Sequence, residues 1–342
     1  MSELDSEIMN RFEANLKFVN NRYEISLMWK DEKMKVEYNR IARRRFDELN
    51  HKFDKDHELC KNYRAIVLEQ ENREVVEKYP YKIIENSYFM PHRPVLREDT
   101  TTNVRMVFDE SSKEKHLNSF NDYLYPGPNL NPNILDVIMH FRTFSVAFCT
   151  DIDKAFVQIA ITENNQNYLK FLWFSNEKAN VEFFRFTRAP FRVTCSPFIL
   201  AATVKHHIRK YNEHPKVVKI LDSSLFVDDL ITGSNSDDKA FYLSSTASTI
   251  YKEAGMNLQK FNTNSVHLRK MWEKNKLCDS RENSNNRIKV LGLLWGTVSD
   301  TLHFEMQSLP DSWKFNPIKL VAVKVMLKIF DPIGYFAPFL FE

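Results

Sequence analysis

The sequence predicts an α+β protein in which a helical first part precedes a region of antiparallel strands and helices. Before residue 80 the apolar residues recur at helical spacing, whereas short β-type runs punctuated by Pro, Asn and Thr begin at Pro80. Strand-like and helix-like segments then alternate up to about residue 262. With 342 residues and 43% hydrophobic content, the chain is long enough for roughly two domains with cores of their own.

The composition excludes a disordered chain, and the charge, the cysteines and the hydropathy indicate the kind of partner, the compartment and the solubility. The net charge of +3 suits a nucleic-acid partner, but it equally suits many enzymes without one. Four widely spaced cysteines without a CxxC pair predict a reducing, intracellular compartment. An acidic N-terminus and the lack of a long apolar run predict a soluble protein without a signal peptide or membrane span.

Two amphipathic helices are predicted near the N-terminus, at about residues 36–50 and 57–78. The first directs its apolar side chains to one face and four arginines, Arg40, Arg43, Arg44 and Arg45, mostly to the others. These arginines either bind phosphate or form a solvated helix face. The pattern favours the solvated face, because charge runs on helices usually have that role.

The remaining elements follow from local patterns. Strands are predicted at residues 88–90, 104–108, 288–295 and 301–304, a polar loop at 263–287 and a helix at 317–330. The chain ends on the apolar run FAPFLFE, which is typical of a cut through a longer polypeptide.

A carboxylate at the end of a strand is the first candidate for chemistry. In FSVAFCTDIDKAFVQIAI, residues 144–161, a β-type run leads to Asp151. A carboxylate at a strand end faces outward, where it can bind a hard cation such as Mg²⁺ together with substrate phosphates. A side chain that caps a turn or helix is an equally compatible interpretation of this segment.

Two adjacent aspartates form the second candidate. In SLFVDDLITGSN, residues 224–235, Asp228 and Asp229 lie between strand-forming apolar residues, which predicts a hairpin. Ordinary hairpin turns favour Asn-Gly or Asp-Gly, and neighbouring carboxylates repel one another. We therefore expect a cation here, with Asp228 sharing metal ions with Asp151 and Asp229 being less essential. An acidic turn without function is the alternative.

A third segment, FTRAPFRVTCSPF at residues 186–198, precedes a helix predicted to run to about Tyr211. Ser196 and Pro197 have the residue types of an N-cap and a first helical position. An exposed turn before a helix N-terminus offers backbone N–H groups and a surface for a flat group. Ser-Pro begins many helices, so this signal is weak by itself.

The order and spacing of these segments resemble those of reverse transcriptases, and residues 88–304 look like the BEL/Pao retrotransposon group. PHRPVLREDTTTNVRMVFDESSK resembles the fingers signature of that group, DIDKAFVQI its first palm motif, APFRVTCSPF its template-contacting motif and FVDD its catalytic hairpin. GMNLQKFNTNS resembles the motif after the hairpin, and KVLGLLW the primer-grip strand. The flanks, including IFDPIGYFAP, also resemble the flanks of the polymerase in that group's Pol polyprotein.

The resemblance implies a two-metal centre for nucleotidyl transfer. Asp151 and Asp228 would hold two Mg²⁺ or Mn²⁺ ions, with Asp229 as the third carboxylate. One ion would activate the primer 3′-hydroxyl, and the other would bind the triphosphate and stabilise the leaving pyrophosphate. Lys260 matches the lysine proposed as the acid toward pyrophosphate.

The same resemblance assigns residues to the substrates. The nucleotide-binding positions correspond to Arg97, Arg105, Asp153, Lys154, Ala155 and Phe156. The template or base-pair contacts correspond to Pro190, Phe191, Arg192 and Ser196, and the primer grip to Leu291, Gly292 and Leu293. The backbone at 153–155 would cradle the triphosphate, the two arginines would clamp it, and the Phe156 ring would exclude a 2′-hydroxyl. Core packing is the alternative for Phe156. A solvated cation is the alternative for Arg105 and Lys260 and the favoured interpretation of Arg97.

Two positions depart from the family pattern. Phe226 stands where many relatives have tyrosine, which removes a hydroxyl contact but keeps the ring. Arg192 stands where the pattern Pro-Phe-Gly has glycine, so it brings bulk and charge into a close-packed site. A decayed or domesticated reverse transcriptase fold that binds nucleic acid without catalysis is therefore the main alternative function.

The implied protein is a right-hand polymerase that carries out RNA-directed DNA synthesis. A helical N-terminal extension is expected at residues 1–86, and a truncated start of the thumb or connection at 305–342. The fingers are expected at about 87–140 and 162–189, and the palm at about 141–161 and 190–304. A metal-dependent phosphodiester hydrolase is a further alternative, although the adjacent His206 and His207 face different ways on a helix and supply no clear general base.

The expected partners are an RNA or DNA primer-template, deoxynucleoside triphosphates and other parts of a Pol polyprotein. No membrane partner is expected. The expected location is cytoplasmic and particle-associated, and an additional nuclear phase is compatible with the sequence.

Overall fold

The computed structural model of the chain describes residues 2–30, 39–79, 88–96, 104–174, 181–278, 287–304 and 331. Its α-helices are α1 Glu3–Asn15, α2 Asn39–Lys55, α3 His57–Asn72, α4 Ile134–Phe141, α5 Glu163–Gln166, α6 Ser196–Ile208, α7 Pro215–Ser224, α8 Asp237–Glu253 and α9 Val266–Lys274. Its strands are β1 Lys17–Val19, β2 Arg22–Ile25, β3 Val76–Lys78, β4 His92–Leu96, β5 Val104–Phe108, β6 Val146–Ile152, β7 Ala160–Ile161, β8 Lys170–Trp173, β9 Glu182–Phe186, β10 Leu225–Phe226, β11 Asp229–Ser234, β12 Leu258–Thr263, β13 Arg287–Val290, β14 Leu293–Gly296 and β15 Thr301–His303. The mixed α+β class predicted from the sequence is therefore present.

The chain divides into two compact units. Unit 1 contains Met1–Leu130 and Lys154–Val204, and unit 2 contains Asn131–Asp153 and Lys205–Glu342. The boundary predicted at residues 86/87 lies inside a range that the structure does not describe, and the one at 304/305 lies at the edge of another, so that layout stays a prediction. Among the described helices, none combines the length and hydrophobicity needed to cross a membrane.

Unit 1 is built from helices and three small sheets, with strand orders β1-β2-β7, β3-β9-β8 and β4-β5. Its core is aromatic. Tyr63 of α3 donates or accepts a 2.7 Å hydrogen bond with Nδ1 of buried His92, whose Nε2 lies 2.9 Å from the Leu172 carbonyl oxygen. Burial lowers the pKa of His92 to about 4, so this histidine is neutral and structural.

Unit 2 centres on a four-stranded antiparallel sheet of order β10-β11-β6-β12. Side chains of β6 alternate between its two faces. On one face, Ala147 and Cys149 pack with α4 and with the β13–β14 hairpin in a single apolar cluster. On the other face, Phe148 meets the buried Trp272 of α9 edge-on, with ring centroids 5.8 Å apart. A further sheet has the order β13-β14-β15.

The structure corrects several sequence-based elements. The N-terminal region is not only helical: β1 and β2 form a hairpin through Asn20 and Asn21, both with positive φ. The second helix ends at Asn72 rather than near residue 78, and β3 follows it. The segment predicted as a loop at 263–287 contains α9, whose N-cap Ser265 accepts a hydrogen bond from the Leu268 N–H.

Other corrections concern strands. Residues 88–90 form no strand, and only an isolated bridge joins Phe89 to Lys170. The strand predicted at 288–295 is two strands, β13 and β14, joined by a tight turn. The predicted helix at 317–330 and most of the predicted thumb or connection lie outside the described residues.

Candidate active site

Asp151 lies where the apolar face of β6 ends. Ala147, Cys149 and Asp151 share one face of the strand, and the first two belong to the apolar cluster. Asp151 continues this face beyond the cluster and is half-buried. The strand thus holds a carboxylate at the edge of a packed core, which confirms its predicted place near the end of a strand.

The two adjacent aspartates lie at the predicted hairpin. β10 and β11 are antiparallel with Phe226 opposite Asp229, so Val227 and Asp228 form a two-residue turn. Val227 has a φ of 61°, a left-handed conformation that is costly for a β-branched residue. Its N–H donates to Oδ1 of Asn131 at 3.1 Å. The turn is therefore held in place although its sequence does not favour it.

The strand register brings the carboxylates together. Asp229 lies directly opposite Asp151 in the β11–β6 pair, and the Ile152 N–H donates to the Asp228 carbonyl oxygen at 2.9 Å. Asp228 is a turn residue and Asp229 is the strand residue that faces Asp151, so the alternation of strand side chains does not place Asp228 rather than Asp229 beside Asp151. The metal-binding roles of all three aspartates stay predictions.

Burial and mutual repulsion raise the pKa values of the hairpin aspartates. Burial raises the pKa of Asp229 to about 6, with further contributions from the charges of Asp228 and Asp151, while Lys260 lowers it. Burial also raises the pKa of Asp228, and the Asp151 charge adds to that effect. Such a cluster of carboxylates is stabilised by a nearby cation.

Lys260 reaches this cluster through a β-bulge. In the β12–β6 pair Gln259 faces Asp151 and Asn262 faces Cys149, so Lys260 and Phe261 together oppose one residue. Lys260 has a φ of 53°, a conformation more usual for glycine. Its Nζ lies 2.5 Å from Oδ2 of Asp151. Burial alone would lower the pKa of Lys260, but this hydrogen bond and the three carboxylate charges raise it.

The carboxylates open into a cleft of about 420 Å³ within unit 2. The lining residues are Cys149, Thr150, Asp151, Asp229, Ile231, Lys260, Asn262, Arg287, Ile288, Lys289 and Val290. Sequence reasoning missed the contribution of Arg287 and Lys289, which are exposed on β13 and put two cations in the cleft wall. Their alternation with Ile288 and Val290 was the available signal.

The donor set fits a hard divalent cation. Oδ1 of Asp151 is buried and has no hydrogen-bond partner, and the nearby hairpin carboxylates have raised pKa values. Oxygen ligands of this kind suit Mg²⁺ or Mn²⁺. Among the residues that the structure describes, no three His, Cys, Asp or Glu side chains already converge on one metal position. Instead, the ammonium of Lys260 donates a hydrogen bond to one carboxylate oxygen of Asp151.

The segment expected to cradle the triphosphate, residues 153–155, directly follows β6 along the chain. Asp153 accepts a 3.1 Å hydrogen bond from Nε2 of Gln259 in unit 2. In unit 1, Lys154 has a φ of 48° and its Nζ lies 2.6 Å from Oε1 of Glu69. Ala155 is fully buried just after it.

The surroundings of Phe156 are compatible both with core packing and with the expected contact to the sugar of a nucleotide. Only 6% of the residue is exposed, as expected for core packing. Its ring, however, packs against Phe191, with centroids 4.5 Å apart, and Phe191 is 55% exposed. The pair therefore forms an aromatic edge that is open on one side. Arg105 is exposed on β5, and Arg97 lies outside the described residues.

The loop that carries Arg192 has a glycine-like backbone. Arg192 is exposed, with a φ of 72°. The Asn121 side chain holds this loop, since Nδ2 donates to the Arg192 carbonyl oxygen at 3.0 Å and Oδ1 accepts from the Thr194 N–H at 2.9 Å. The Ser196 hydroxyl donates to the Pro190 carbonyl oxygen at 2.8 Å. Ser196 thus closes the loop as the first residue of α6, rather than capping the helix as expected.

Of the predicted primer-grip residues, Leu291 and Gly292 form a turn and only Leu293 lies in a strand, at the start of β14. Leu291 and Gly292 connect β13 to β14, with φ values of 46° and 81°. Positive φ at both turn positions is typical of a tight hairpin. Leu291 and Leu293 are buried in the apolar cluster of unit 2. Within this hairpin it is β13, not the turn, that lines the carboxylate cleft.

No protein-family model and no curated protein sequence matches this chain. Among solved structures, the chain is similar to a foamy viral protease-reverse transcriptase in complex with an RNA/DNA hybrid, at 12% identity and a TM-score of 0.49. The match covers 98% of this chain and 40% of the viral chain.

Proposed function

We propose that this chain is an RNA-directed DNA polymerase, the reverse transcriptase part of a BEL/Pao-like retrotransposon, that extends a primer on an RNA or DNA template. The observation that carries the proposal is the cross-strand pair of Asp151 and Asp229, with Asp228 in the adjacent turn. Three carboxylates at one end of a sheet suit phosphoryl chemistry, and the order of the motifs suits a polymerase.

The carboxylates are the proposed holders of two Mg²⁺ ions. Bound there, the ions would supply Lewis-acid activation of the primer hydroxyl and neutralise charge on the leaving pyrophosphate. Asp151 has a buried oxygen without a hydrogen-bond partner for this role, and the raised pKa values of Asp228 and Asp229 support a site for a positive charge. Metal binding would lower those pKa values and so favour the ionised form of both side chains.

Lys260 is the proposed proton donor to pyrophosphate. In the structure its ammonium is hydrogen-bonded to Asp151, so its charge offsets that carboxylate. If a bound cation neutralised Asp151, the ammonium of Lys260 would be free to approach a substrate phosphate. The ordinary pKa of a lysine side chain, 10.5, already keeps this ammonium protonated at neutral pH, as a general acid must be before it donates.

A nuclease with the same carboxylates is less well supported. A hydrolase needs a group that removes a proton from water. His207 is buried, and its Nε2 lies 2.7 Å from the Ile250 carbonyl oxygen, so this histidine has a structural role. Burial also lowers its pKa.

A polymerase fold that binds nucleic acid without catalysis is the second candidate, and Arg192 favours it. The backbone keeps a φ of 72°, but the residue is an arginine instead of the glycine that the family pattern has there. The resulting bulk and charge would lie beside the proposed template base.

Primer extension by the purified chain on a homopolymeric RNA template distinguishes these functions. The polymerase predicts a ladder of extended primers with Mg²⁺ and deoxynucleotides, abolished by Asp151→Asn. The non-catalytic candidate predicts tight primer-template binding without extension. A hydrolase predicts primer or template shortening instead. We also propose that the chain binds deoxynucleoside triphosphates and other parts of the Pol polyprotein.

A further inference from the structure

A second cleft, within unit 1, is lined mainly by cations. Its volume is about 570 Å³. The lining residues, called the basic cleft below, are Arg40, Ile41, Arg44, Lys113, Glu114 and Lys115. Four cations against one carboxylate give the lining a net positive charge at neutral pH.

Two separate elements supply the charges. Arg40 and Arg44 lie one turn apart on α2, so their side chains share one face of the helix. The lysines come from the loop that follows β5. Hydrogen bonds fix this loop: the Ser112 hydroxyl donates to the Asp109 carbonyl oxygen at 2.7 Å, and Nδ2 of Asn121 donates to the Ser111 hydroxyl at 3.1 Å. These hydrogen bonds order the loop just before Lys113.

Two of the four cations already have acidic neighbours. Lys113 lies 3.2 Å from Asp122, and Arg44 lies 3.9 Å from Glu48. Arg40 and Lys115 form no ion pair with any residue in the described part of the chain. Their charges are exposed and uncompensated, which is the arrangement that attracts a polyanion.

We propose that the basic cleft binds the sugar-phosphate backbone of a single-stranded nucleic acid. Cations on two sides of an open cleft suit a row of phosphates better than one isolated anion. None of the six lining residues is aromatic, so binding depends on the backbone and not on base sequence. The choice of nucleic acid over other polyanions rests on the proposed function.

The test measures binding of a fluorescein-labelled oligothymidylate to the full chain over a series of salt concentrations. The double variant Arg40→Gln/Lys115→Gln is expected to bind about tenfold more weakly or worse, and its log–log salt slope should be about 1.4 units shallower. The matched control is Arg43→Gln/Arg45→Gln, which also removes two positive charges, both of them from α2. Arg43 and Arg45 pair with Asp47 and Glu48 and do not line the cleft, so the control should bind within about twofold of the unmodified chain.

Equal binding by the unmodified chain and Arg40→Gln/Lys115→Gln overturns the inference, as does an equal loss in the control. Competition by inorganic phosphate at the same phosphate concentration overturns it too, because the cleft would then be a small-anion site. Primer extension tests the polymerase separately. Cleft-dependent binding in a chain that never extends primers supports this inference and contradicts the proposed function.

Discussion

The ammonium of Lys260 lies 2.5 Å from the Asp151 carboxylate although Gln259, and not Lys260, is the residue opposite Asp151 in the strand pair. The β-bulge in β12 makes this contact possible. Thr150 helps to hold the bulged strand, since its hydroxyl donates to the Gln259 carbonyl oxygen at 2.6 Å. A strained backbone that redirects one side chain onto a carboxylate is typical of a functional site.

Two substitutions of Lys260 distinguish the effect of its positive charge from its proposed role as a proton donor. Lys260→Gln should lower kcat for nucleotide addition about 100-fold, because it removes the proposed acid. It should also tighten Mn²⁺ binding several-fold, since Asp151 loses its neutralising partner. Lys260→Arg keeps the charge but is a poor proton donor, so it should lower kcat while leaving Mn²⁺ affinity near that of the unmodified chain. Single-turnover kinetics and Mn²⁺ titration calorimetry measure the two effects. Unchanged kcat and Mn²⁺ affinity in Lys260→Gln would remove Lys260 from the mechanism.

Arg192→Gly should change both stability and rate. A non-glycine residue in the left-handed region costs about 1 kcal/mol, so glycine should raise the unfolding free energy by up to that amount in urea denaturation. Primer extension should rise ten- to a hundredfold as the side chain is removed. Arg192→Ala is the control, since it removes the guanidinium but keeps the backbone strain. A glycine variant that is no faster than a parent already active at a normal polymerase rate would show that Arg192 is accommodated.

Phe156 is tested by its effect on sugar selection. Phe156→Val should raise ribonucleotide relative to deoxyribonucleotide incorporation at least tenfold, because the ring no longer blocks the 2′-hydroxyl. Loss of the buried ring should also cost roughly 1–3 kcal/mol of stability. Phe156→Tyr keeps the ring and should keep the selectivity. If single-nucleotide assays on folded Phe156→Val show unchanged selectivity, the residue belongs to the core alone.

Glu110 should make unit 1 less stable as the pH rises. The residue is 1% exposed, and burial raises the pKa of its carboxyl to about 8, with the Asp109 charge adding to the effect and Arg192 opposing it. The folded chain therefore holds a proton that the unfolded chain releases near pH 4.5. Stability from this group is complete below that pH and is lost progressively as the pH rises to about 8, by a few kcal/mol. Urea denaturation should show a flatter pH dependence in Glu110→Gln than in the parent, and parallel pH profiles would contradict this assignment.

The sequence predicted the hairpin at Asp228 and Asp229 and the strand that leads to Asp151, because apolar runs on both sides of a carboxylate leave few other arrangements. It did not predict the positive φ of Val227, since a β-branched residue is a poor indicator of that conformation. The bulge at Lys260 was equally hidden, because a bulge depends on the pairing partner as much as on its own strand.

Local sequence patterns could have corrected some of the wrong predictions of helices and strands. Helix α9 was missed in a polar segment, although Leu268 and Trp272 lie four residues apart after a capping serine and are both fully buried. Gly292 marks the turn that interrupts the predicted strand at 288–295. The alternation of Arg287 and Lys289 with Ile288 and Val290 indicated that these cations face away from the core. Their place in the cleft wall also depends on how the hairpin packs against the central sheet, which no local pattern specifies.

The most direct test of the central claim is primer extension by Asp228→Asn, which keeps the size of the side chain and removes its charge. If Asp228 is a metal ligand, extension should fall by at least about a thousandfold, while melting temperature and primer-template affinity stay near those of the unmodified chain. The affinity and melting measurements on the same preparation exclude misfolding as the cause. Extension by Asp228→Asn within about tenfold of the unmodified chain, which corresponds to about 1.4 kcal/mol of barrier, would show that this carboxylate does not hold the catalytic metal ions.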